Sequence, residues 1–125
     1  MLSPKQTLQA GATFGFLSVA VGAFGAHALK PTLITNGSLD TFELAVRYQF
    51  FHALALLIIG VMMEKINTRV LSYSATLMVA GTLLFSGSLY ALAFQAGKAM
   101  AFATPIGGVC FLAGWILLFL SVRAK

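Results

Sequence analysis

The chain has 125 residues, of which 59% are hydrophobic and only 9% charged, against roughly 25% charged residues in soluble proteins. A soluble fold of this size has too much surface per volume to hide so much apolar side chain, so a bilayer must solvate the outer faces of a single domain covering 1–125. The net charge of +5 does not point to nucleic acid, because the eight Lys and Arg sit at the ends of apolar runs, where lipid headgroups meet them.

A membrane-spanning helix needs about 20 mostly apolar residues. Residues 7–29 supply the first span, uncharged until Lys30 and closed by Pro31. AHA at 26–28 has the small-x-small form of a signal cleavage site, but the run is longer than a signal core and three more follow, so the segment is expected to remain. Gly11, Gly15, Ser18, Gly22 and Gly25 recur at alternating intervals of 4 and 3, which keeps them in one stripe. Helices in lipid gain from close backbone approach, which small residues permit. The stripe is read as a packing seam within the chain, with a homodimer face as the alternative. Matching small groups are Ala45 and Ala55 in span two, Gly81 and Ser88 in span three, and Gly107 and Gly114 in span four.

The stretch 31–39 reads as a turn-rich loop centred on Asn36-Gly37. Span two, 41–63, follows Asp40 as N-cap with Glu43 reaching back, and Glu43 and Arg47 form an i,i+4 pair in the favourable order. Thr41, Ala45, Tyr48, His52, Ala55 and Ile59 share one face of it. Span three covers 70–96 and holds FSGSLY at 85–90. Span four, 105–122, is opened by Thr104 as N-cap and Pro105 at the first helical position. Gly107 and Gly108 permit close approach there, and Cys110 reads as a small buried hydrophobe. The runs are too long for strands and lack period-2 alternation, which also excludes a barrel. The expected fold is all-α: an integral membrane four-helix bundle, up-down-up-down.

Loop charges predict orientation. The side with both termini holds Lys5, Lys65, Arg69, Arg123 and Lys125, five in all; the other holds Lys30, Arg47 and Lys98, three. Positive-inside bias puts both termini in the cytoplasm.

The two histidines are the groups closest to chemistry. A polar ring at membrane depth faces protein, water or a partner. His27 and His52 are expected to join Tyr48, Ser86, Ser88 and Tyr90 in a polar cluster, with His27 tying the end of span one to span two near His52 and Tyr48. Sharper readings each lack parts. Two imidazoles suit haem, but their heights need not match. Zinc or copper needs more donors. A serine nucleophile in FSGSLY has no base-and-acid pair to activate it. Proton-coupled carriers use an intramembrane carboxylate, whereas Asp40, Glu43 and Glu64 lie at span ends. No catalytic residue, metal or cofactor is expected.

Four blocks, GAFGAHAL (22–29), YQFFHALALL (48–57), GTLLFSGSLY (81–90) and TPIGGVCFLAGW (104–115), resemble in order the YgdD-like family of small inner-membrane proteins, whose relatives include a mitochondrial membrane protein in animals. The motif positions here include His27, His52, Ser86, Gly87, Ser88, Tyr90, Thr104, Pro105, Gly107, Gly108, Gly114 and Trp115. The resemblance implies four spans and transfers no catalytic residue or cofactor. The expected role is structural, accessory or partner-binding, in contact with the lipid bilayer and with a second copy or another membrane protein as candidate partners. A small transporter or channel is the alternative.

Overall fold

Ser3 starts the first helix. Its hydroxyl accepts from the Gln6 backbone N–H at 3.1 Å, and the Gln6 side chain accepts from the Ser3 N–H at 3.0 Å, a reciprocal cap that satisfies two orphan donors. In the computed structural model, which describes residues 1–66 and 69–123, helix α1 (Pro4–Ala26) therefore begins and ends three residues before the expected 7–29.

The expected loop at 31–39 is instead largely a short helix, α2 (Lys30–Thr35). Pro31 suits a first turn, where a missing N–H costs nothing, and Leu33 is fully buried beneath it. Gly37, at φ +67°, closes α2. Its N–H donates to Ile34 O at 3.0 Å and that of Ser38 to Leu33 O at 2.9 Å, the paired bonds of a glycine C-terminal cap.

Helix α3 (Leu39–Lys65) has Ser38, not Asp40, at its N-cap; Asp40 lies in the first turn, where a negative charge suits the helix dipole. Span three is α4 (Arg69–Gly81), a π-helical turn (Thr82–Ser86) and α5 (Gly87–Ala93). It stops at Ala93 rather than 96 because Gln95 and Gly97 take positive φ values of 59° and 125°, which no helix continues through. A 3-10 turn (Lys98–Phe102) leads into α6 (Ala103–Val122). Thr104 is thus inside the first turn rather than capping it, and its hydroxyl hydrogen-bonds Ser88 instead.

All four candidate spans are long and apolar enough to cross a membrane. Successive spans run antiparallel: α1 packs on α3, and α4 on α6. Helix α3 and span three are the inner pair, with 44% and 39% of their apolar windows buried against 17% for α1 and for the last span. The outer faces of α1 and α6 present Phe16, Val19, Ile106, Val109, Leu112 and Ile116, side chains suited to hydrocarbon.

The stripe on α1 faces α3. A Cβ placed on Gly11 would come within 2.9 Å of the Ala53 carbonyl oxygen, and one on Gly25 would strike the Phe42 ring. Ser18 is buried, and Gly15 and Gly22 oppose Ala53 and Val46. The seam is therefore intrachain, but its partners on α3 are Phe42, Val46, Ala53 and Leu57, not the expected Ala45 and Ala55. Gly60 returns the favour by taking Leu8. Gly81, Gly107 and Gly114 bring span three and α6 together: Gly107 lies on the Phe85 backbone, Gly81 under Phe111 and Gly114 against Met78, while Gly108 only grazes Phe85.

Candidate functional site

The middle of α3 carries two polar side chains, Gln49 and His52, in an otherwise apolar stretch. Both are about 95% buried, at 5% and 4% exposure. Three residues apart on a helix, they point to adjacent sectors. Gln49 turns toward α1 and α5, and His52 toward α6.

Gln49 bridges two neighbouring helices. Its Nε2 donates to the Phe14 carbonyl of α1 at 2.9 Å, and its Oε1 accepts from the Tyr90 hydroxyl of α5 at 2.6 Å. His52 is held at both ring nitrogens. Nδ1 lies 2.8 Å from Tyr48 O, and the Trp115 indole N–H donates to Nε2 at 3.1 Å. A carbonyl only accepts and an indole N–H only donates. The ring must therefore be the neutral tautomer with its proton on Nδ1. It stacks on Phe111 with centroids 3.6 Å apart and 12° between planes.

Beside this pair is a cleft of about 430 Å³ between α3 and α6, lined by Tyr48, His52, Phe85, Pro105, Gly108, Val109, Phe111, Leu112 and Trp115. Gly108 opens its wall by carrying no side chain, and the remaining lining is aromatic and aliphatic. His52 is the one titratable imidazole at its edge, and its lone pair is already engaged by Trp115.

The expected cluster of six thus resolves into separate contacts. Tyr48 stacks on Phe85 at 4.7 Å and lies beside the His52 ring at 6.1 Å. Ser86 donates to Ala45 O at 2.7 Å. Ser88 donates to Phe85 O at 2.9 Å and pairs with Thr104. Tyr90 belongs to Gln49. None of Ser86, Ser88 and Tyr90 reaches His52. His27 is exposed beyond the C-terminus of α1. The Gly25–Phe42 and Gly11–Ala53 contacts place it level with about residue 40 of α3, about 18 Å along the helix from His52. His27 does not tie span one to His52; the end of span one is held on span two by Gly25 against Phe42. No common site for two imidazoles is formed, and neither serine has a histidine beside it.

Sequence reasoning missed Gln49 and the His52–Trp115 bond. An amide inside YQFFHALALL is itself a signal, because a buried amide in lipid must find partners. The identity of those partners was not readable, since Phe14 contributes only a carbonyl and Trp115 lies 63 residues away. Besides Ser86, three further hydroxyls cross to distant backbone carbonyls: Ser38 to Ala93, Ser72 to Leu2 and Ser74 to Gly114. Such interhelical bonds contribute about 0.6 kcal/mol each.

Comparison with known proteins agrees with this architecture. The family model described as a protein of unknown function, DUF423, matches residues 21–108. The UPF0382 inner membrane protein YgdD of Escherichia coli (strain K12) is 44% identical over 114 residues, covering 89% of this chain and 85% of the relative. The UPF0382 membrane protein SAB0533 of Staphylococcus aureus (strain bovine RF122 / ET3-1) is 43% identical over 111 residues, covering 89% of each. A UPF0382 membrane protein of Haemophilus influenzae is 43% identical over 112 residues, again 89% of each. No solved structure matches the chain. With a family model across most of its length and relatives above 40% identity, the chain belongs to the DUF423 (UPF0382) family of membrane proteins.

Proposed function

We propose that this protein is a non-catalytic component of the bacterial inner membrane, with a structural, accessory or partner-binding role and both termini in the cytoplasm. The observation that carries the reading is the commitment of the polar interior to the fold itself. His52, Gln49 and the buried hydroxyls are all spent on bonds within the chain, and among the described residues no buried side-chain nitrogen or oxygen lacks a partner. A histidine whose lone pair is held by an indole and whose proton is held by a carbonyl is not poised to relay protons or bind a metal. Orientation rests on the five-to-three distribution of Lys and Arg; of these, Lys125 lies outside the described residues.

Reconstituted vesicles test it. Vesicles with the wild-type protein and with His52→Ala should hold proton and ion gradients as long as empty vesicles do. Flux that appears with the wild type and vanishes in His52→Ala would defeat the reading in favour of a small transporter. Reporter fusions after residue 125 and within 31–39 should report inside and outside, respectively; the reverse pattern would overturn the orientation.

A further inference from the structure

A second groove, on the opposite side of α3, lies between α1 and α3. Its outer part encloses about 430 Å³ between Gly22, Gly25 and Ala26 on α1 and Phe42, Glu43, Val46 and Arg47 on α3. A further cavity of about 150 Å³ continues it inward along Ser18, Val19 and Phe50 and shares Val46 and Arg47. The outer part has a carboxylate and a guanidinium on its wall, whereas the inner part is almost wholly apolar. Among the described residues neither charged side chain is drawn into a hydrogen bond or ion pair, so the i,i+4 pair expected between Glu43 and Arg47 is not formed.

The order of these groups along α3 is informative. Arg47 is eight residues into the helix, about 12 Å from its start, and Glu43 lies about 6 Å nearer that start. Passing inward from the helix end, a ligand meets a negative charge, then a positive charge, then an apolar slot. A zwitterionic phospholipid presents the complementary series in the same direction: ammonium, phosphate, acyl chains. A guanidinium is well matched to phosphate, and a carboxylate accepts hydrogen bonds from a primary ammonium but none from a quaternary one. A headgroup with no amine would leave the Glu43 charge without a cation.

We infer that the α1–α3 groove binds a phospholipid with a primary-ammonium headgroup, its phosphate on Arg47, its ammonium on Glu43 and one acyl chain against Val19, Val46 and Phe50. Gly22, where a Cβ would meet only Val46 at 3.4 Å, keeps the α1 wall of the groove low, while Gly25 closes its outer end against Phe42.

Native mass spectrometry of the whole protein, purified with equal amounts of phosphatidylethanolamine, phosphatidylcholine and phosphatidylglycerol of matched chains, tests this. Phosphatidylethanolamine should be retained about 3- to 10-fold over phosphatidylcholine. Successive N-methylation of the headgroup should erode the preference stepwise, a readout needing no variant. Glu43→Gln, which keeps an acceptor oxygen but loses the charge, should weaken the preference with total phospholipid unchanged, and Arg47→Gln should reduce retention of all three. Tail-free glycerophosphoethanolamine should displace nothing. Equal retention of phosphatidylethanolamine and phosphatidylcholine by the wild type, or an unchanged preference in Glu43→Gln, would overturn the assignment. So would full retention in Arg47→Gln or displacement by the tail-free headgroup.

Discussion

Gly107→Ala is expected to destabilise the protein by about 1–3 kcal/mol, the usual cost of forcing atoms into a close-packed contact. The added methyl would fall on the Phe85 backbone nitrogen and within 2.9 Å of Phe85 Cα. Phe85 sits in the π-helical turn, with its ring against Tyr48 and Phe111. A side chain can swing aside, but here the obstacle is main chain, so the two helices must separate. The neighbouring Gly108→Ala is the control. Its Cβ would meet only Phe85 Cδ2, at 4.0 Å, an ordinary contact, and alanine favours helix over glycine. Unfolding midpoints in a detergent series should drop for Gly107→Ala and stay level or rise for Gly108→Ala. Equal midpoints would show that α6 does not seat on span three at this crossing.

The second large effect is expected at Gln49. Gln49→Leu removes the bonds to Phe14 O and Tyr90 and leaves the Tyr90 hydroxyl without its acceptor. An orphaned buried donor costs about 1–3 kcal/mol, more than the interhelical bonds alone are worth, so a loss of about 2 kcal/mol is expected. Adding Tyr90→Phe should recover about 1 kcal/mol of it, because the orphan is then gone. A double-mutant cycle measured by the same unfolding assay checks this. Additive losses would mean that the two side chains do not depend on one another.

The spans, their antiparallel order and the seam on α1 were legible because each is written locally: in apolar length, in punctuation and in a 4-3 repeat. The face of α3 that the seam meets was not. Ala45 and Ala55 are small, but Ala55 packs in the core around Met78 and Phe111 and the Ala45 carbonyl accepts from Ser86 of span three, while Gly11 is answered by the Ala53 backbone. The rotation of a helix whose apolar residues surround it is set by its neighbours and not by its own pattern. His27 looked like a partner for His52 because both rings interrupt apolar runs, yet register separates them. Helix α2 was hidden by turn-rich composition; burial of Leu33, a tertiary effect, secures it. The π-helical turn has no local marker in TLLFS, and it is the packing on Gly107 that makes it matter.

The central claim is that the small-residue stripe of α1 docks on α3 of the same chain while lipid surrounds the rest. Gly15 and Ala53 test it most directly. A Cβ on Gly15 would stand 4.0 Å from that of Ala53, within the range a disulfide needs. With Cys110→Ser as background, Gly15→Cys and Ala53→Cys together should form, on oxidation in native membranes, a crosslink that leaves the protein monomeric. A crosslink found only between two chains, or none, would contradict the account.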